Sequence, residues 1–418
     1  MMSVLLLLSV AHAHVDGLLQ GVDVLLDGGV GIETSFGLLW SRDGSDYSWL
    51  CHEAITAKGA VITPRYAQST DGILLGVVPV LEQTREAGLA LYRSADGCDW
   101  DAPPGLDGLV LSDVVFDPSD PEHALLITAD LTAGADNHIL RSTDAGQSFS
   151  AVLTAAERLF RTVAVSPAGA VWASAVWYDS GAGYLYRSTD GETFTEVAVP
   201  MPGSHLPVDV DVIAVSPDDP LTAWVVVGPY GSDVLLRTTD GGESFQEVFA
   251  VDGDIISGAA VAGGGVWLSV SGQTLYWSAD GGSFALVEDG PVTLGLTSAG
   301  GETWLATDAI IGGGTIAHRV TDGVDIVAAM HLSTLGPPPT CPAESHSALL
   351  CDPLWESLEV RLPLPPSGDS GELEDDSDGD SGSVDTGVPE AASCGCGSGA
   401  DSAAALLLVG LLGWRRRA

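Results

Sequence analysis

One short turn recurs along this chain of 418 residues. It reads RSTDAGQSF from Arg141 to Phe149, RSTDGETF from Arg187 to Phe194 and RTTDGGESF from Arg237 to Phe245. Aligned on the aspartate, the series is Asp43, Asp96, Asp144, Asp190, Asp240, Asp280 and Asp322, with steps of 53, 48, 46, 50, 40 and 42 residues. Periods of that size point to propellers or solenoids.

The stretches between the turns also repeat. VVFDP from Val114, VAVSP from Val163 and IAVSP from Ile213 come first, and then an apolar run carrying Trp: VWASAVW from Val171, AWVVVG from Ala223, VWLSV from Val266 and TWLAT from Thr303. A third run, such as YLYRS from Tyr184 or VLLRT from Val234, leads into the turn, and a fourth, such as FQEVFAV from Phe245, leaves it. These runs are rich in β-branched and aromatic residues and are separated by Gly, Pro and Asp, so they read as strands. Four strands and one turn per repeat describe a propeller blade. The expectation is an all-β, seven-bladed β-propeller with a C-terminal extension over residues 14–362.

The turn resembles the Asp-box, or BNR repeat, with the pattern S-x-D-x-G-x-[ST]-[FW]. Ser142 to Phe149 matches throughout, and Thr238 to Phe245 matches with Thr for the first Ser. Ser94 to Trp100, Ser188 to Phe194 and Ser278 to Phe284 are one residue shorter, Ser41 to Trp49 is one longer, and Val320 to Ile326 is degenerate. The residue types suit a local staple. An Asp carboxylate in a tight turn accepts backbone N–H groups, Gly takes the positive φ, and Phe or Trp packs between sheets. The resemblance implies that the seven aspartates are structural and lie at the rim, away from any ligand site.

Charge limits the partners. Lys and Arg total 15 against 57 Asp and Glu, a formal net charge of −42. Nucleic acid, which needs clustered cations, is excluded as a partner. The sequence implies no cofactor and no metal: H-E-x-x-H, P-loop and G-x-S-x-G patterns are absent.

Sialidases are the enzymes that the Asp-box resemblance brings to mind. Their pattern is an arginine triad with a short F/Y-R-I-P motif, a Tyr nucleophile paired with Glu, and an Asp acid/base. The motif does not occur here. Arg93, Arg141, Arg187, Arg237 and Arg319 each precede a turn, and Arg42 sits inside one, so the repeat accounts for them. Arg65, Arg85, Arg158, Arg161 and Arg361 remain. No catalytic residue is assigned. The same family includes non-catalytic binding propellers such as sortilin-type receptors and photosystem assembly factors. The leading reading is a surface-anchored propeller that binds a protein, peptide or glycan. A sialidase-type glycoside hydrolase and a structural envelope protein are the alternatives.

The two ends suggest export. Val4 to Val10 is a short apolar run followed by Ala11-His12-Ala13, so residues 1–13 read as a signal peptide. Residues 363–393 form an acidic stretch with no basic residue, which cannot build a core and reads as a disordered linker. Residues 394–418 hold Cys394-Gly395-Cys396, the apolar run Ala403 to Trp414, read as a short helix, and Arg415-Arg416-Arg417. Twelve helical residues reach only about 18 Å, short of a bilayer core. This order of parts resembles the MYXO-CTERM sorting tail. The resemblance implies a sorting protease as partner, cleavage and lipidation near Cys394 or Cys396, and membrane attachment at the cell surface. Outside the cytosol a local disulfide between Cys341 and Cys351 is expected, while Cys51 and Cys98, about one repeat apart, are candidates to bridge neighbouring units.

Overall fold

The computed structural model describes residues 20–26, 28–56, 64–78, 91–177, 182–200, 209–228, 231–271, 274–321 and 324–362. The signal-like start, Arg85, Asp322, the acidic stretch 363–393 and the tail with Cys394 and Cys396 lie outside the described residues.

Seven antiparallel sheets follow one another along the chain, and the fold is an all-β seven-bladed propeller. Blade 1 is β1 Gly21–Leu25, β2 Val30–Thr34, β3 Gly37–Ser41 and β4 Ser48–Leu50, followed by the one-turn helix α1 Glu53–Thr56. Blade 2 is β5 Arg65–Gln68, β6 Leu74–Val77 and β7 Leu91–Ser94. Its fourth strand shrinks to a bridge, in which the Arg93 N–H donates to the Asp101 carbonyl at 2.8 Å and the Asp101 N–H donates to the Arg93 carbonyl at 2.9 Å. Blade 3 is β8 Leu111–Asp117, β9 Asp120–Thr128, β10 Asp136–Ser142 and β11 Ser150–Ala156. Blade 4 is β12 Arg158–Val165, β13 Val171–Trp177, β14 Gly183–Ser188 and β15 Thr195–Ala198. Blade 5 is β16 Asp209–Val215, β17 Ala223–Gly228, β18 Asp233–Thr238 and β19 Gln246–Val251. Blade 6 is β20 Ile255–Ala260, β21 Val266–Val270, β22 Thr274–Ser278 and β23 Ala285–Leu286. Blade 7 is β24 Thr293–Ala299, β25 Glu302–Thr307, β26 Thr315–Thr321 and β27 Asp325–His331.

The first strand of each blade packs on the first strand of the next, from β1 through β24 and back to β1, so these seven strands line the axis. Because each blade is an antiparallel meander, the Asp turns and the turns after the first strands share one face, here the turn face. The loops between second and third strands and the connections between blades share the other, the loop face.

Stacking explains the composition. Second strands are covered on both sides by neighbouring blades, and all six residues of β17 are buried. Trp172, Trp224 and Trp267 occupy the same place on β13, β17 and β21 and are fully buried between blades. The Trp224 indole N–H donates to the Gly281 carbonyl in the next blade's Asp turn at 2.8 Å. Gly281 has φ +65°, and a Cβ there would come within 2.4 Å of the Trp224 ring, so only glycine fits. Three of the arginines before the turns make the same reach. Arg93 donates to the Ala145 carbonyl at 2.7 Å, and Arg237 to the Asp280 carbonyl at 2.9 Å. Arg141 pairs with Glu192 at 2.6 Å. These three arginines thus fasten their blades to the turn of the next, whereas Arg319 pairs with Glu302 of its own blade.

The closing seam is built differently. Among the described residues, blades 7 and 1 share no strand. Gln20 bonds to the Asp308 carboxylate at 2.8 Å, and the Thr297 hydroxyl donates to Asp23 at 3.1 Å. After β27 the chain makes a 3-10 turn, Leu332–Thr334, and runs along the outer edge of blade 1. There the Gly336 N–H donates to the Tyr47 carbonyl at 2.9 Å. It continues into α2 His346–Leu350 and α3 Asp352–Glu359, where Trp355 lies 6.0 Å from Trp49.

The cysteine expectation is corrected here. Cys341 does not pair with Cys351, and Cys51 does not pair with Cys98. The bonds are Cys51–Cys351 and Cys98–Cys341. The reason is the seating of α2. The Ser347 N–H donates to the Cys98 carbonyl at 3.0 Å and its hydroxyl to the Gly97 carbonyl at 2.5 Å. With α2 held on the blade 2 turn, the cysteines on either side of it each meet a different blade.

Candidate functional site

The axis gathers charge. From β1, β5, β8, β12 and β16 come Asp23, Arg65, Asp113, Arg161 and Asp211, so the sign alternates over five successive blades. Strands β20 and β24 carry no charged residue. These groups are tied between blades. Arg161 pairs with Asp211 at 3.1 Å, with side chains 21% and 8% exposed. Asp113 accepts the Val163 N–H of blade 4 at 3.1 Å, and the Thr162 hydroxyl accepts the Val212 N–H of blade 5 at 3.0 Å. The Ser257 hydroxyl accepts the Leu296 N–H at 3.0 Å. A bulge interrupts the first strand beside Asp23, Asp113, Arg161 and Ser257. Bulges of this kind re-aim side chains.

Glu33 on β2 lies directly opposite Asp23 and is 2% exposed. Its carboxyl accepts the Tyr66 N–H of blade 2 at 2.5 Å. Burial, with the negative charges of Asp23 and Asp113, pushes its pKa up to about 8, against the opposing pull of Arg65 and the Tyr66 N–H. At neutral pH it holds a proton. A raised carboxyl is the raw material of a general acid, but Glu33 is sealed by β5 and spends one oxygen on the fold.

Below the charges the axis opens into a cavity of about 190 Å³. Its rim on the turn face is Pro167 and Pro217, its walls include Val215, Ala260 and Leu296, and Asp23 is the charged group that lines it. The prolines are those of the repeated V-S-P segments. The preceding Ser166 hydroxyl donates to the Ser216 carbonyl in the next blade, so this repeat also serves blade-to-blade bonding.

Among the described residues, the arginines left over by the sequence do not converge as a carboxylate clamp would require. Arg65 and Arg161 belong to the axis, two blades apart and interleaved with aspartates, and Arg361 follows α3. Arg158 runs outward along blade 4. Its guanidinium stacks on Trp177 at 4.4 Å and on Tyr184 at 4.3 Å, and donates to the Tyr186 hydroxyl at 3.2 Å. The Tyr186 hydroxyl in turn donates to Glu196. This is a Tyr–Glu–Arg group, but Tyr186 sits on the third strand and is 3% exposed. Burial, then the Glu196 carboxylate, hold the phenol well above its ordinary pKa, the opposite of nucleophile activation.

The Asp turns lie between third and fourth strands. In the blade 3 turn the Ser142 hydroxyl donates to Asp144 at 2.7 Å and accepts the Gly146 N–H at 2.8 Å. Asp144 also accepts the Ser148 N–H at 2.9 Å. Thr238, Asp240, Gly242 and Ser244 repeat the arrangement. Asp43, Asp96, Asp190 and Asp280 are placed alike, each receiving the hydroxyl two residues before it. These donors hold Asp240 down at about 2, and Asp190 far below the usual carboxylate range. The sequence reading missed the buried partner: Ser142 and Thr238 are each 1% exposed, whereas their aspartates face water. The invariant Ser or Thr two residues before each of these six aspartates was the available signal. Among the described residues no group of three or more His, Cys, Asp or Glu is placed to hold a metal ion, and no helix is long and apolar enough to cross a membrane.

No protein-family model and no curated protein matches the chain. Solved structures do, at low identity. A puromycin-hydrolysing peptidase of Mycobacterium tuberculosis superposes with a TM-score of 0.50 at 14% identity, covering 79% of this chain and 55% of its own. A GH74 enzyme of Niastella koreensis superposes at 0.42 and 15%, over 74% and 65%. A YCF48 protein bound to D1 peptide gives 0.45 and 16%, over 70% and 92%. The chain therefore spans less than two thirds of the peptidase and of the GH74 enzyme. The likeness to the peptidase is one of fold alone, and a propeller fold does not by itself assign a function.

Proposed function

We propose that this protein is a non-catalytic binding propeller of the Asp-box type, exported and held at the cell surface by a processed C-terminus. One observation carries the choice of binding over catalysis. Charged groups at and beside the axis bond from blade to blade: Arg161 with Asp211, Asp113 with the Val163 N–H and Glu33 with the Tyr66 N–H. A sialidase-type hydrolase needs arginines presented to a substrate carboxylate and a tyrosine free to attack. The loop face supports recognition instead. There Ile310 and Ile311 stand 57% and 58% exposed on the loop between β25 and β26, their N–H groups tied to Asp308 at 2.8 and 3.3 Å. Exposed apolar side chains on a braced loop suit a protein or glycan contact.

A panel of aryl glycosides, sialosides and β-glucans tests the choice. The full chain is expected to release no sugar above buffer. Turnover that disappears in a folded Asp211→Asn or Glu33→Gln variant would establish an enzyme. Mass spectrometry of the envelope-bound protein tests the anchoring. A C-terminus at Cys394 or Cys396 with at least two acyl chains is expected, and a mature form ending in Ala418 refutes processing.

A further inference from the structure

An aspartate followed by glycine can be attacked by its own backbone. The glycine nitrogen adds to the aspartate Cγ, a water molecule leaves with the amide proton, and a succinimide ring forms. Water then opens the ring at the backbone carbonyl, and the chain continues through Cβ as isoaspartate. One water is lost and one is regained, so no other reactant is needed. Glycine favours the step because it has no side chain to hinder the approach. Two features oppose it: a bond that holds the glycine N–H, and donors that hold the carboxylate ionised and turned away.

The Asp turns have both. The Gly44, Gly97 and Gly191 N–H groups donate to the hydroxyls of Ser41, Ser94 and Ser188 at 3.0, 2.9 and 2.9 Å. The Gly241 N–H donates to the Leu221 carbonyl at 3.0 Å. Asp190 accepts the Thr193 and Glu192 N–H groups at 2.7 and 2.9 Å. Asp280 accepts the Gly282 N–H, the Ser278 hydroxyl and the Ser283 N–H at 2.9, 3.0 and 3.0 Å. These donors hold both carboxyls below the usual carboxylate range. Elsewhere, the Gly72 N–H donates to the Ser69 carbonyl at 2.8 Å and the Gly290 N–H to the Val287 carbonyl at 3.4 Å.

Asp107–Gly108 differs on each count. The Leu109 N–H donates to the Leu106 carbonyl at 3.2 Å, so the pair forms the tip of a tight turn. That turn lies in the connection from blade 2 to blade 3, on the loop face. Both residues are exposed, Gly108 has φ +78°, and a Cβ built there would meet no atom within 4 Å. Among the described residues, none accepts the Gly108 N–H and none donates to the Asp107 carboxyl. Asp252–Gly253 also has an unbonded amide, but Gly253 is half-buried and crowded by the Ser271 hydroxyl.

We propose that Asp107 is a site of spontaneous isoaspartate formation, reacting ahead of every other Asp–Gly pair among the described residues, and that the serine of the Asp turn shields the same dipeptide there. The product lengthens the main chain by one methylene and moves the carboxylate onto a side branch. Leu106 and Leu109 feel that change, because both pack in the apolar cluster that holds Leu111 and Phe116. The converted fraction grows with time after folding, so it records the age of the molecule. The proposal does not depend on the binding reading.

Peptide mapping of aged protein tests it. Full-length protein is held at physiological temperature and mildly acidic pH in water labelled with heavy oxygen, and then digested. The Asp107 peptide is expected to take up one labelled oxygen and to give the fragments of isoaspartate under electron-transfer dissociation. Conversion at Asp43, Asp96, Asp190 and Asp240 is expected to be about tenfold slower, the factor set by one hydrogen bond that must break first. In guanidinium the difference is expected to vanish, which keeps the shielding testable if Ser188→Ala does not fold. Folded Ser188→Ala is expected to raise conversion at Asp190 toward that at Asp107, and Asp107→Glu to abolish conversion at its own position. No conversion at Asp107 in the folded protein, equal or faster conversion at the turn aspartates, or a difference that persists in guanidinium overturns the proposal. An unchanged Asp190 in folded Ser188→Ala overturns the shielding.

Discussion

The seams from blade 2 to blade 7 and the seam that closes the ring solve one problem in opposite ways. In the regular seams an Arg or a buried Trp reaches the next blade, as Trp224 and Arg237 together meet the turn of Asp280 and Gly281. Each contact is modest, and the device is copied. The closing seam has no copy. It uses Gln20 with Asp308, the edge contact of Gly336 with Tyr47, and two disulfides that span 300 and 243 residues. Repetition spreads stability over many small bonds, whereas closure happens once and is covalent.

The largest expected effect comes from breaking the covalent side of that contrast. Cross-linking so long a loop restricts the unfolded chain by about 5 kcal/mol in the chain-entropy picture. The second bond adds less, because it lies within a loop already closed. Guanidinium unfolding of a Cys51→Ser, Cys98→Ser variant should show a loss of that order, and reduction of the wild type should reproduce it. An unchanged midpoint would mean that the noncovalent seam suffices.

Next comes the copied side. Trp224→Ala removes a fully buried ring and orphans the Gly281 carbonyl, and should cost about 3–5 kcal/mol. Comparable losses for Trp172→Ala and Trp267→Ala would show the regular seams to be equivalent. A loss confined to one blade would break the comparison.

Glu33 distinguishes the seam between blades 1 and 2 by pH. Its carboxyl is protonated in the fold up to about pH 8 and ionised in the unfolded chain above about pH 4.5. The fold binds the extra proton, so this group makes stability fall as pH rises from about 4.5 to about 8. Glu33→Gln should therefore match wild type near pH 5 and exceed it near pH 8, read as the difference in denaturation midpoints. A constant offset at both pH values would contradict the buried proton.

The smallest effect separates two members of one turn. Ser142→Ala strands the Gly146 N–H in a buried position and should cost about 1–2 kcal/mol. Asp144→Ala, whose bonds face water, should cost about 0.5–1 kcal/mol. The reverse order would make the carboxylate, and not the hydroxyl, the central member of the turn.

These contrasts match what the sequence made legible. The blades were readable because the turn aspartates, the Trp runs and the V-S-P segments recur at blade spacing, and stacking dictates each of them. The arginines before the turns were readable as part of the repeat, although their reach into the next blade was not. The disulfide pairing was hidden because it depends on ring closure and on the seating of α2, which bring together cysteines 300 and 243 residues apart. The axial charges were hidden for another reason. Asp23, Arg65, Asp113, Arg161 and Asp211 share no motif and alternate in sign, so alignment of the repeats hides the pattern that geometry creates.

The lack of a shared sheet at the closing seam bears on how such a gene can change. Every complete blade is written as one uninterrupted segment of four strands, and the link between first and last blade lies outside the sheets. A reading frame rearranged to begin at any connection between blades would leave each sheet intact and displace only the cross-linked strap. A segment encoding one blade could likewise be duplicated or lost without splitting a sheet. The number of blades is then set by how many wedges fill the circle, and the strap records where the circle happens to have been cut.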